Sequence, residues 1–150
     1  MKVIDNFLPS YQFKQLQSHL MGDEIPWFYK DEICEPGDGF YQFCCGFNFD
    51  FPLIQPCLSL LGVNKLFRLK ANLNPRTVFH RNGGYHTDGY PHITTSILYI
   101  NTCNGYTKVK GCGRVDCREN RIVIFDSDIE HAGFTCTDEK RKIVINFNWK

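Results

Sequence analysis

The 150-residue sequence has no excess of charge: 17 Lys and Arg stand against 16 Asp and Glu. That balance argues against a basic nucleic-acid clamp, whose affinity rests on many phosphate contacts. No apolar run approaches the length of a membrane-crossing helix. The opening Met1-Lys2-Val3-Ile4-Asp5-Asn6-Phe7-Leu8-Pro9 has neither a long apolar stretch nor a small-residue cleavage site, so a cytoplasmic setting is expected. No C-x-x-C occurs among the eight cysteines, at 34, 44, 45, 57, 103, 112, 117 and 136. Without a leader they read mostly as reduced, buried thiols. Cys112 and Cys117 leave a structural zinc site open. Repeats, low-complexity tracts and a long Pro/Gly/Ser linker are also missing. What is present suits a globular chain: 43% apolar, 22% charged and 15% aromatic residues. At this length roughly 70% of the unfolded surface can be buried, so a core forms without staples. One domain over 1–150 is expected, with 1–65 as helical support and edge strands and 66–150 as the β core.

Pro9 and Ser10 start a helix, and Phe13, Leu16 and Leu20 follow at spacings of three and four. Gly22 and Pro26 end it. Trp27-Phe28-Tyr29 reads as a short strand, and Phe40 to Phe51 alternates aromatic residues as a strand does. Residues 52–62 suit a second helix closed by Gly62. From Lys65 the chain reads as strands: Leu66–Leu73, Tyr85–Asp88, Ile93–Ile100, Tyr106–Lys110, Gly113–Cys117, Arg121–Phe125 and Arg141–Trp149. Helices followed by many short strands suggest a mainly β, α+β architecture, a double-sheet roll or barrel with helices against one face.

His86-Thr87-Asp88 is the sharpest local feature. Alternate strand residues share a face, so the imidazole and the carboxylate stand side by side. An ordinary surface His and Asp beside a glycine turn satisfies the same pattern. Two His and one carboxylate with open positions form the facial triad of non-haem Fe(II) oxygenases. A second His must then come from another strand. His19 lies in the opening helix, and His80 and His92 lie too near the motif. His131 follows Ile122-Val123-Ile124-Phe125, 43 positions beyond Asp88, which leaves room for two or three strands to bring the chain back. Arg141 and Lys142 then open the last strand, where a solvated strand end is the plain alternative to a carboxylate-binding role.

From about Leu66 to Trp149 the chain resembles the 2-oxoglutarate and Fe(II)-dependent oxygenases of the prolyl 4-hydroxylase type, most of all the small versions carried by marine bacteriophages. The matching stretches are His86-Thr87-Asp88, Thr94-Thr95-Ser96-Ile97-Leu98-Tyr99-Ile100-Asn101, Arg121-Ile122-Val123-Ile124-Phe125-Asp126 leading to His131, Thr135-Cys136-Thr137-Asp138, and Asn146-Phe147-Asn148-Trp149. The first 65 residues match only in style, as helices bracing the barrel. The resemblance implies a double-stranded β-helix, or jelly roll, with Fe(II) on His86, Asp88 and His131. It implies 2-oxoglutarate and O2 as co-substrates, with Tyr99 donating to a 2-oxoglutarate carboxylate; a core tyrosine bonded elsewhere is the alternative. The distal carboxylate needs a cation. Lys142 shares a strand face with Val144, Asn146 and Asn148, and Arg141 shares its own with Ile143, Ile145, Phe147 and Trp149, so Lys142 is expected inward. Arg141 stays as the other candidate, because the guanidinium fork pairs bidentately with carboxylate.

The implied reaction is hydroxylation of an unidentified substrate, a prolyl or other residue or a small molecule, releasing succinate and CO2, in a host cytoplasm if the chain is phage-encoded. Substrate choice is expected in two loops, between Phe28 and Phe40 and from Arg76 to Gly84. The rival readings are a non-catalytic metal-bearing cupin-like binding module and a zinc-stabilised structural protein.

Overall fold

Alternation along Arg141–Trp149 sets the architecture. Ile143, Ile145 and Phe147 are fully buried on one face, and Lys142, Val144, Asn146 and Asn148 are buried on the other. A strand with both faces covered must lie between two layers, one apolar and one able to satisfy polar groups. A computed structural model describes residues 1–32 and 39–150 and shows both layers.

The strands are β1 (Lys2–Ile4), β2 (Phe28–Lys30), β3 (Gln42–Gly46), β4 (Leu66–Pro75), β5 (Thr94–Tyr99), β6 (Tyr106–Val109), β7 (Gly113–Asp116), β8 (Arg121–Asp126), β9 (His131–Phe134) and β10 (Arg141–Trp149). The helices are α1 (Ser10–Met21) and α2 (Gln55–Leu61). A seven-stranded antiparallel sheet runs β1-β8-β5-β10-β4-β3-β2, and a three-stranded sheet runs β7-β6-β9. This is the mainly β, two-sheet roll expected from the sequence, a double-stranded β-helix with two short helices.

The apolar layer lies between the large sheet and the helices. Phe13, Leu16 and Leu20 of α1 and Cys57 of α2 meet Leu69 and Ala71 of β4, Leu98 of β5, Ile122 of β8 and Ile143, Ile145 and Phe147 of β10. Each such side chain contributes about 1.5–3 kcal/mol when fully buried. The inter-sheet layer is graded. Towards β8 and β5 it is apolar, with Val123, Phe125, Ile97 and Tyr99 packed against Val109 and Val115 of the small sheet. Towards β4 it turns polar: Lys142, Val144, Asn146 and Asn148 of β10 stand opposite Asn74, Asn72, Lys70 and Arg68. A cleft opens over that polar half.

Four details differ from the sequence-based expectation. The aromatic alternation over Phe40–Phe51 yields only β3. The β4 pairing ends at Gly46, and Phe47 and Phe51 instead stack on each other at 5.3 Å against the helical layer. Pro52–Ile54 forms a 3-10 turn before α2, which Gly62 closes with a left-handed φ of 68°. Tyr85–Asp88 is a single bridge, His86 to His131, rather than a laddered strand. Strands β1 and β9 were not anticipated: each is short and has no apolar–polar alternation of its own, and partners on β8 and β6 hold them extended.

Candidate metal centre

The chain reversal through β8 and β9 returns His131 to the His86 segment. Two backbone hydrogen bonds join them, His86 N–H to the His131 carbonyl at 3.1 Å and His131 N–H to the His86 carbonyl at 2.9 Å. The imidazoles therefore lie side by side, tilted by 47° with centroids 4.7 Å apart. Each Nδ1 stands 3.5 Å from a nearby carbonyl, of Gly84 for His86 and of Ile129 for His131. This contact favours the tautomer that leaves Nε2 for a metal. His131 is 2% exposed, and Phe125 packs edge-on against its ring at 5.0 Å.

Asp88 completes the set. Its Oδ1 lies 4.0 Å from His131 Nε2 and 3.1 Å from Arg68 Nη1. Asn148 Nδ2 donates to Oδ2 at 2.8 Å and the Thr95 hydroxyl donates at 3.4 Å. Thus β10 and β5 orient the carboxylate from behind while Oδ1 faces the imidazoles. Burial works to raise the Asp88 carboxyl, but Arg68, His131, Asn148 and His86 outweigh it and hold it below its ordinary value. Burial pushes the His131 imidazole down, with Asp88 opposing and His86 and Arg68 adding to the fall. A neutral imidazole at His131 beside an ionised Asp88 is the pair of ligand forms a divalent ion requires. The donor atoms of His86, Asp88 and His131 lie within 4.8 Å of one another, so two nitrogens and one oxygen could hold one ion. This donor set fits Fe(II).

The other histidines stand apart from this group. His19 rests on Phe51 at 5.3 Å, His80 Nδ1 meets the Thr135 carbonyl at 2.7 Å, and His92 pairs with Asp128 at 2.8 Å.

Lys142 enters the inter-sheet space and is 1% exposed. Its ammonium donates to the carbonyls of Tyr106 at 3.0 Å and Phe134 at 2.7 Å, one from each of β6 and β9. Burial, opposed by the thiols of Cys117, Cys103 and Cys136, pushes it below the usual lysine range. A Cβ at Gly105 would stand 2.9 Å from Lys142 Cδ, so this glycine makes room for the side chain. Arg141 points the other way and donates to the Met21 carbonyl at the end of α1.

Tyr99 lies deeper in the inter-sheet layer. It is fully buried, and its hydroxyl donates to the Val115 carbonyl at 3.4 Å and is also bonded to Thr107. Thr107 lines the cleft, with Tyr99 behind it, because the tyrosine spans the apolar half of the inter-sheet layer. The zinc pair also separates: Cys112 is exposed in the β6–β7 turn, while buried Cys117 donates to the Asn101 carbonyl at 3.0 Å. The seven described cysteines are free thiols.

Of the two expected lid loops, most of the first (33–38, with Cys34, Glu35, Pro36, Gly37 and Asp38) lies outside the described residues. The second is pinned to the β9–β10 connection. Thr77 N–H bonds the Cys136 carbonyl, and Thr135 N–H bonds the Arg81 carbonyl at 2.9 Å. Its tip, Val78 and Phe79, is exposed.

Sequence reasoning missed Arg68, Lys70, Asn72 and Gln42, which face the cleft from β4 and β3. For the three on β4, alternation with Leu69, Ala71 and Leu73 was the available signal. Asn101 was also missed. It donates to the Arg141 carbonyl and accepts from Ile143 N–H, both at 2.9 Å, and so brackets Lys142.

No family model and no curated protein sequence matches this chain. Solved structures do. An oxidoreductase of the 2OG-Fe(II) oxygenase family from Burkholderia pseudomallei is 10% identical, with 99% of this chain and 84% of that one covered and a TM-score of 0.73. A Pseudomonas putida prolyl-4-hydroxylase is 14% identical, over 99% and 91%, at 0.70. A Trichoplax adhaerens prolyl hydroxylase, solved with a peptide of hypoxia inducible factor, is 13% identical, over 99% and 82%, at 0.69. Across almost its whole length, the chain has the fold that these oxygenases share.

Proposed function

We propose that this chain is an Fe(II)- and 2-oxoglutarate-dependent dioxygenase that hydroxylates a substrate with release of succinate and CO2. His86, Asp88 and His131 hold the iron, and Lys142 holds the distal carboxylate of 2-oxoglutarate. The observation that carries the reading is Lys142: an ammonium 1% exposed, bonded among the described residues to carbonyls alone, on the polar face that leads to the triad. A buried cation without a counter-ion is costly. Two of its three N–H groups are used by the carbonyls, which leaves one for an anion. Phe134 is three residues beyond His131 on β9, so the ammonium sits about 10 Å along the strand from the triad. A five-carbon diacid chelating a metal at one end suits that span.

Bound iron with 2-oxoglutarate and O2 supplies the oxidative decarboxylation that inserts oxygen into a C–H bond. The chain's part is placement. Asn148 and Thr95 orient Asp88, the His86–His131 bridge fixes the imidazole spacing, and the apolar half of the roll keeps water from one side. Residues 66–150 carry these groups, and 1–65 supply the bracing layer and the cleft wall on β3. The substrate is an amino-acid residue or a small molecule. Among the described residues no helix is long and apolar enough to cross a membrane, and a cytoplasmic location is part of the proposal.

A non-catalytic binding module is favoured by one observation, the Arg68–Asp88 ion pair, which already neutralises the carboxylate. Anaerobic titration with Fe(II) and 2-oxoglutarate separates the readings. The oxygenase develops a visible charge-transfer band and releases succinate when O2 is admitted. His131→Ala loses the iron, since a three-ligand set has no spare. Unchanged iron binding in that variant, or 2-oxoglutarate binding without succinate release, favours the module.

A further inference from the structure

Charge around the cleft does not balance. Among the described side chains that line it, Arg68, Lys70 and Lys142 are basic and none is acidic. Asp88 answers Arg68. On the reading above, Lys142 is answered by the distal carboxylate of the co-substrate, and the triad by its keto-acid end. Lys70 is left over. It is half-buried on β4, two residues from Arg68 on the same face, and no hydrogen bond or ion pair holds its ammonium among the described residues. Burial, with Arg68 and Lys30 nearby, pushes it below the usual lysine range, while Cys44 and Asp88 only partly oppose this. Beside it, Asn72 and Asn146 are 8% and 7% exposed, and each leaves its amide oxygen without a partner. An unpaired cation lining a polar cleft marks a place for an anionic ligand.

We infer that Lys70 receives an anionic group, a carboxylate or a phosphoryl group, of the molecule being oxidised, so that the enzyme selects small anionic substrates. This rests on the oxygenase reading, because the co-substrate is what accounts for Lys142. Lys70 faces Asn146 across the β4–β10 pair, four residues along β10 from Lys142. That separates the two lysines by about 13 Å along the strand, too far for one small carboxylate to serve both. An uncharged substrate would leave the Lys70 ammonium half-buried and unpaired, a penalty that discriminates against it.

The test uses protein loaded with Mn(II) and saturating 2-oxoglutarate, without turnover, in low-salt buffer. Acetate and methyl phosphate are titrated by calorimetry as the carboxylate and phosphoryl probes. Wild type binds one equivalent of at least one of them, and the one bound identifies the group. Lys70→Met weakens that binding by at least about tenfold, and Lys70→Arg keeps it within about threefold. The affinity for 2-oxoglutarate changes less than about twofold in both, because Lys142 is untouched. Equal binding in wild type and Lys70→Met, or no binding of either probe, overturns the inference. So does a Lys70→Met variant that loses 2-oxoglutarate instead, which would give Lys70 to the co-substrate. Failure of the oxygenase reading shows separately, as wild type that takes up Mn(II) but no 2-oxoglutarate.

Discussion

Lys142 and Arg141 are neighbours in sequence and opposites in setting. One is sealed between the sheets on two carbonyls, and the other reaches the end of α1. A charge-assisted hydrogen bond is worth about 1.5–3 kcal/mol net, so Lys142→Ala should raise the 2-oxoglutarate requirement about 10- to 150-fold. Iron binding should survive, and titration of each ligand separately checks both halves. Arg141→Ala should lower the melting temperature and leave the 2-oxoglutarate requirement alone. The facing of this pair was legible because alternation with Ile143, Ile145 and Phe147 is a local property of the strand. The His86, Asp88 and His131 cluster was legible for a similar reason: a His-x-Asp pair is local, and elimination left one distant histidine. The hydroxyl partners of Tyr99, Val115 and Thr107, were not legible, because they come from two other strands. Nothing near Tyr99 in sequence announces them. Arg68 and Lys70 differ: their alternation with Leu69, Ala71 and Leu73 is local, but the Asp88 partner of Arg68 comes from another part of the chain.

At the scale of elements, β10 lies between β4 and β5 and carries side chains to both layers. Its first residues extend beyond the last paired residue of β5, where backbone pairing runs out. Asn101 fills that gap with its amide, holding the Arg141 carbonyl and the Ile143 N–H. Asn101→Ala would leave a buried N–H unpaired at about 1–3 kcal/mol. The melting temperature should fall by about 2–4 °C for each kcal/mol lost. The 2-oxoglutarate requirement should rise with it while metal affinity holds, because β10 would loosen at Lys142 and stay paired at Asn148. Thermal melts combined with the two titrations distinguish this from general destabilisation, which would weaken both ligands together. Strand content was readable wherever a segment carried its own alternation. It was over-read at Phe47–Phe51, where the aromatics alternate but no neighbouring strand receives them, and under-read at β9, four residues that pairing to β6 makes into a strand.

Across the whole molecule, the apolar layer under α1 and α2 and the polar cleft lie on opposite faces of one sheet. Cys57 sits in the first of these, with 0% exposure, and burial pushes its thiol up to about 12 from 9.0. A folded pKa raised above the unfolded one means that the folded state keeps a proton the unfolded chain gives up. The stabilising contribution is whole below pH 9 and is lost as pH rises towards 12. Stability measured by denaturant should therefore fall across that window. Cys57→Val should flatten the slope without abolishing it, because the Cys103 thiol is also raised to about 12, by its contacts with Cys117 and by burial against an opposing contact with Cys136. A slope unchanged in Cys57→Val would place the alkaline loss elsewhere.

Strand β9 has a further consequence. Its first residue, His131, is tied to the triad, and its last, Phe134, gives its carbonyl to Lys142. On the proposed function, a single short piece of extended backbone separates the two ends of the co-substrate's berth, and extended backbone barely stretches. The strand acts as a gauge block. A 2-oxo diacid one carbon shorter falls short of the ammonium, and one a carbon longer must buckle between fixed stops. Oxaloacetate and 2-oxoadipate should both be poor replacements for 2-oxoglutarate, because a fixed length of backbone spaces the Lys142 ammonium from the triad.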